Sequence, residues 1–117
     1  EYIQKILMDL SSLGAKRIIL KGVDFNQNKI GIASYDSTTD SFGWYFHEKL
    51  TSNFHGTGDI FASVFTGAMV RGKNFKESYS LAANFVVESI KATLSHDDHN
   101  IYGVDFETAI PYLISNM

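Results

Sequence analysis

This 117-residue sequence predicts an α/β fold, a mixed sheet with an antiparallel hairpin flanked by helices. Three observations lead there. Apolar residues recur at helical spacing from Tyr2 to Leu13. Three short segments between Ile18 and His47 then carry continuous or alternating apolar residues of strand type. Two longer helical patterns follow, over 59–71 and 74–94.

The first helix carries Tyr2, Ile3, Ile6, Leu7, Leu10 and Leu13 and is expected to stop at Gly14, a favoured residue just past a helix end. No turn or cap precedes its stripe, so the sequence looks like a piece of a longer protein. Ile18-Ile19-Leu20-Lys21-Gly22 is a continuous apolar run after a helix, as a buried parallel strand would be. Residues 24–28 read as a turn. Ile30 and Ile32 alternate with Gly31 and Ala33 in a second strand ending near Tyr35. Phe42, Trp44 and Phe46 alternate with Gly43, Tyr45 and His47 in a third, and the polar residues 36–41 make the two an antiparallel hairpin.

The helix over 59–71 is apolar nearly all round, which predicts burial on several sides. Gly67 within it costs about 1 kcal/mol relative to Ala and predicts close packing against a neighbour. Gly72 closes it. Asn74 and Glu77 resemble a capping pair for the next helix, whose inner side is Tyr79, Ala82, Ala83, Val86, Val87 and Ile90. Asp105 could cap a last helix, which Pro111 would kink or interrupt.

Length, 44% hydrophobic residues and a single proline indicate one globular domain over 1–117. A net charge of −3 with no Lys/Arg block argues against a nucleic-acid binder. With no cysteine, disulfide and thiolate chemistry are excluded. No apolar run reaches membrane-span length and no signal peptide is visible, so the chain reads as cytoplasmic. The first helix's apolar stripe and a free strand edge predict a homodimer or larger species, burying Ile3, Ile6 and Leu10.

The chemistry concentrates in His55-Gly56-Thr57-Gly58-Asp59, where a helical pattern begins. Glycines let the backbone approach a ligand closely. The first amides of a helix lack internal partners and carry the positive end of the dipole, which suits phosphate. A carboxylate there makes sense as the base that deprotonates a hydroxyl attacking that phosphate, which points to a kinase-like site. Thr57 or Asp59 could equally cap the helix. The residues alone leave both readings open, and the two are compatible.

The order of elements, with Lys21 on the first strand and Gly-Thr-Gly-Asp opening a helix, resembles the C-terminal part of ribokinase-like kinases, which have a three-layer α/β/α fold. Within them the chain is most similar to pyridoxal kinases, which phosphorylate vitamin B6 forms on the 5′-hydroxyl. His55 to Asp59 fits their anion-hole and base motif, Ile19 to Gly22 resembles the strand whose Lys approaches ATP, and Tyr102 to Glu107 resembles their C-terminal segment. The related hydroxymethylpyrimidine kinases usually carry Cys where this chain has Asp59. The resemblance covers nearly all of this chain but less than half of a family enzyme.

It implies Asp59 as catalytic base, Gly56, Thr57 and Gly58 as amide donors to the transferring phosphoryl group, and Lys21 near the ATP phosphates. Phe54, His47 and Leu50, on the segment around the motif, would line the nucleotide pocket. Phe46 and Phe54 read at least as well as core residues, and Lys21 as a solvated side chain at a strand end. ATP and Mg²⁺ are the implied cofactors, the Mg²⁺ ligands and the acceptor pocket lying in the family's N-terminal part. His96-Asp97-Asp98-His99 reads as an exposed loop rather than a metal site. Other readings are a ribokinase-like kinase acting on a pyrimidine, sugar or nucleoside, a non-catalytic module that binds a nucleotide or phosphate, and a structural piece without a ligand.

Overall fold

The computed structural model of the chain describes residues 2–26, 29–48, 57–94 and 106–117. The chain divides into two compact units, Glu1–Lys49 and Leu50–Met117.

In the first unit, α1 (Tyr2–Ser11) precedes a three-stranded sheet in the order β1 (Arg17–Asn26), β2 (Lys29–Asp36), β3 (Ser41–Glu48). After Ser11 a tight turn carries the chain through Gly14, whose N–H donates to the Ser11 carbonyl at 3.0 Å and whose φ is +118°. Both strand pairs are antiparallel. The Ile18–Gly22 run is therefore not the parallel strand its continuous apolar character suggests. Its neighbour in the described sheet is the strand that follows it, and a hairpin can only be antiparallel.

β1 also runs past the expected turn at Asp24. Its register with β2 shifts between Leu20 and Val23, where Gly22 takes φ +70°, and again between Asp24 and Asn26. Bulges of this kind absorb an extra residue and let a strand continue. The hairpin expected around 36–41 is present, with Asp36 paired to Ser41 and Tyr35 to Phe42. The Tyr35 and Phe42 rings lie 4.8 Å apart across the strands.

Leu7 of α1 packs with Val23, Ala33 and Tyr35 of the sheet, and Ile3, Ile18, Leu20, Phe42 and Trp44 close around them. This corrects the uncovered α1 stripe expected above. Ile3 and Leu7 are covered by this unit's own sheet, whereas Tyr2 and Leu13 remain 76% and 82% exposed. β2 is the middle strand and is buried from Gly31 to Tyr35, on both faces. A Cβ on Gly31 would collide with the Tyr45 carbonyl oxygen and lie 3.0 Å from the Phe46 Cα, so only glycine fits there.

In the second unit α2 (Thr57–Val70) packs on α3 (Phe75–Leu94), followed by a 3₁₀ turn (Glu107–Ala109) and α4 (Ile110–Asn116). α2 buries Phe61, Val64 and Ala68, a single stripe at i, i+3 and i+7. Burial on several sides is not observed, since Val70 is 81% exposed. Nor does Gly67 mark close packing, because a Cβ there would meet nothing within 4 Å.

α2 ends in a Schellman motif: the Lys73 N–H donates to the Ala68 carbonyl at 3.0 Å and that of Gly72 to Met69 at 3.1 Å. Gly72 takes the left-handed φ of +97° that the motif requires. α3 is buried at Tyr79, Ala82, Ala83 and Val87 as expected, and also at Leu81 and Phe85, while Val86 and Ile90 are half-buried. Two of its buried hydroxyls are satisfied within the helix, Ser89 donating to the Phe85 carbonyl at 2.8 Å and Thr93 to that of Ser89 at 2.9 Å, while Ser78 donates to the Asn74 carbonyl just before it at 2.8 Å. Pro111 kinks nothing. It falls in the first turn of α4, where its missing N–H has no partner to lose. Asp105 lies outside the described residues.

Candidate active site at the N-terminus of helix α2

Thr57, Gly58 and Asp59 come together as the first three residues of α2, so their amides belong to the set that no helical carbonyl satisfies. Asp59 is the acidic residue of that turn and is exposed, whereas Thr57 is half-buried. Helix geometry explains the difference. At about 100° per residue, Asp59 lies roughly 160° round the axis from Phe61, and Thr57 about 40° from it. The stripe of Phe61, Val64 and Ala68 faces α3. That contact turns Asp59 to the opposite side, into solvent, while keeping Thr57 near the packed face. An anion meeting this turn finds amide donors and the positive end of the helix dipole, with a carboxylate beside them.

Lys21 is exposed, but not at a strand end as the sequence suggests. It sits inside β1, in the stretch where the register shifts before Val23. His47 is half-buried on β3, paired with Ile30, its ring 6.4 Å from that of Tyr45. Phe46 is 50% exposed, which removes it from the core. Lys21 and His47 belong to the first unit and Thr57 to Asp59 to the second. Leu50, Phe54, His55 and Gly56 lie outside the described residues, as do His96 to His99 and Tyr102 to Asp105. Among the described residues no three His, Cys, Asp or Glu side chains gather as a metal site would need.

A polar network surrounds the β2–β3 hairpin, where the sequence predicts only a turn. Asp36 accepts hydrogen bonds from the Thr38 hydroxyl at 2.6 Å and the Thr38 amide at 3.0 Å, and pairs with Arg17 at 3.2 Å. The Thr38 hydroxyl above all, then its amide and Arg17, hold the Asp36 carboxyl below its ordinary value, against partial desolvation. The Tyr35 hydroxyl donates to Asp40 at 2.9 Å, and that bond, followed by burial and the nearby carboxylates, raises the phenol above its ordinary value. Asp40 holds φ +50° at the end of the turn, a conformation Asp tolerates better than most residues. These groups shape the hairpin. An aspartate two residues before a threonine is the signal that could have found the Asp36 turn.

The fold is that of the ribokinase-like kinases. A Bacteroides thetaiotaomicron protein assigned as a phosphomethylpyrimidine kinase superposes with a TM-score of 0.90 at 25% identity, over 97% of this chain and 39% of its own. The pyridoxal kinase of Lactobacillus plantarum superposes at 0.79 and 22% identity, over 94% of this chain and 40% of its own. In sequence, the hydroxymethylpyrimidine/phosphomethylpyrimidine kinase of Bacillus subtilis is 31% identical over 93 residues, 78% of this chain and 34% of that protein. The family profile described as phosphomethylpyrimidine kinase matches residues 1–104, and the chain belongs to that family. It spans about a third of the length of the curated relatives it matches.

Proposed function

We propose that the whole protein is a cytoplasmic kinase that transfers the γ-phosphoryl group of ATP to the 5′-hydroxymethyl group of pyridoxal, pyridoxine or pyridoxamine, and that this chain carries its anion hole and base. The observation behind this reading is the exposed carboxylate of Asp59 on the first turn of α2, immediately after Thr57 and Gly58. Asp59 takes the proton of the acceptor hydroxyl as its oxygen bonds to the γ-phosphorus. The bond from that phosphorus to the β–γ bridging oxygen breaks, and ADP leaves. The transition state is loose, so alignment matters more than the strength of the base. The amides of Gly56, Thr57 and Gly58 receive the phosphoryl oxygens. Lys21 approaches the ATP phosphates, and Phe54, His47 and Leu50 line the nucleotide pocket.

Mg²⁺ neutralises phosphate charge in such reactions. The described residues offer no cluster that fits it, and its ligands are assigned to the part of the family enzymes that precedes this region. The acceptor pocket is assigned there too, so the 117-residue chain alone is not expected to phosphorylate any vitamin B6 form.

A second reading has a specific observation behind it: the sequence relatives are named as hydroxymethylpyrimidine/phosphomethylpyrimidine kinases. Asp59 favours the vitamin B6 acceptor, because the resemblance puts Cys at that position in the pyrimidine enzymes. Steady-state kinetics of the whole protein with pyridoxal, pyridoxine and hydroxymethylpyrimidine decide between them. The higher kcat/KM is expected for a vitamin B6 form, and a clear preference for the pyrimidine overturns that assignment.

A further inference from the structure

Phe65 of α2 stands between two other rings. Its centroid lies 6.4 Å from that of Phe61, one turn earlier, with the planes 7° from parallel. On the other side it meets Phe75, at the start of α3, at 6.1 Å and 76°. Phe75 meets Tyr79 edge-on at 5.1 Å and 86°, and Tyr79 is among the largest fully buried side chains. The four rings form a column from the buried face of α3 across to α2, ending two residues beyond Asp59.

A helix seated on small side chains such as Ala68 can turn about its own axis with little change in packing, but flat rings in fixed mutual orientation resist that turn. Asp59 is on the far side of α2 from the packed stripe, so any rotation of the helix displaces it directly. We infer that Phe65 is a positioning residue for Asp59, joining the first turn of α2 to α3 through Phe61 and Phe75. The inference rests on the reading of Asp59 as the base.

Phe65 is half-buried, so its variants keep most of the core. In the whole protein Phe65→Leu is expected to lower kcat about tenfold while KM for ATP stays within about twofold, the split of a misplaced group rather than a lost binding contact. Phe65→Tyr keeps the ring and near-wild-type kcat. Phe75→Leu, which removes the partner ring on α3, gives the same split, so the test does not depend on one variant folding. In an Asp59→Asn background, Phe65→Leu adds little, because the group it positions is gone. An equal loss in both backgrounds, or a lower Tm with unchanged kcat, overturns the inference and leaves Asp59 as base. Near-wild-type turnover by Asp59→Asn alone overturns both.

Discussion

Asn74 and Glu77 cap α3 reciprocally: the Glu77 N–H donates to Asn74 Oδ1 at 2.8 Å, and the Asn74 N–H donates to Glu77 Oε1 at 3.2 Å. Two orphan amides at the start of a 20-residue helix are thereby satisfied. Asn74→Ala is expected to cost about 1 kcal/mol, and Asn74→Gly only a few tenths. Denaturant unfolding of both variants checks this, and a loss near zero for Asn74→Ala would mean that the cap contributes little.

Gly31→Ala is expected to destabilise the sheet by about 1–3 kcal/mol, the usual range for overpacking. The added methyl meets the Tyr45 carbonyl, and backbone in a paired strand cannot swing aside as a side chain can. Thermal unfolding measures the loss, and an unchanged Tm would show that β3 yields.

Asp36 gives the β2–β3 hairpin a share in stability toward acid. Its carboxyl is held below its ordinary value of 3.8 when folded, so the contribution is fully present above that value. As pH falls through the lowered folded value the carboxyl protonates and the contribution is lost. Asp36→Asn should therefore narrow the gap between Tm at about pH 5 and at about pH 2.5. The same gap in variant and wild type would place the acid sensitivity elsewhere.

Asp59→Asn keeps the shape and capping capacity of the side chain and removes the base, typically worth about 10²–10⁴-fold in rate. In the whole protein, kcat is expected to fall in that range while ATP affinity changes little. Near-wild-type kcat would reduce Asp59 to a residue of the first turn that favours the helix dipole by about 0.3–1 kcal/mol.

The isolated 117-residue chain is expected to self-associate as a dimer or larger species. Ile3 and Leu7 are covered within their unit, so the association should involve Tyr2, Met8, Leu10 and Leu13, which remain exposed. Light scattering at micromolar concentration measures it, with Tyr2→Lys/Leu13→Lys as the variant expected to shift the chain toward monomer. A monodisperse wild-type monomer would show that these residues tolerate solvent.

Local signals were sufficient wherever local chemistry decides. Turn residues at 36–41 placed the hairpin, Asn74 with Glu77 placed the start of α3, and glycines at 14 and 72 marked helix ends, because caps and turns are satisfied by residues three or four positions away. The Gly-Thr-Gly-Asp stretch opened a helix for the same reason. What a neighbour decides was not legible. The direction of β1 depends on which strand lies beside it, and its apolar run reads alike in either case. Lys21 sits mid-strand because the register shifts let β1 continue, which no spacing foretells. Gly67 looked like a contact point and faces open space, while Gly31, unremarked in its alternating strand, is the one pressed against the Tyr45 carbonyl. Sequence alone thus determined most elements, the cap of α3 and the residues that open α2. Tertiary structure decided strand pairing, which face of each apolar helix is covered, and the outward setting of Asp59, because these depend on packing between segments far apart in the chain.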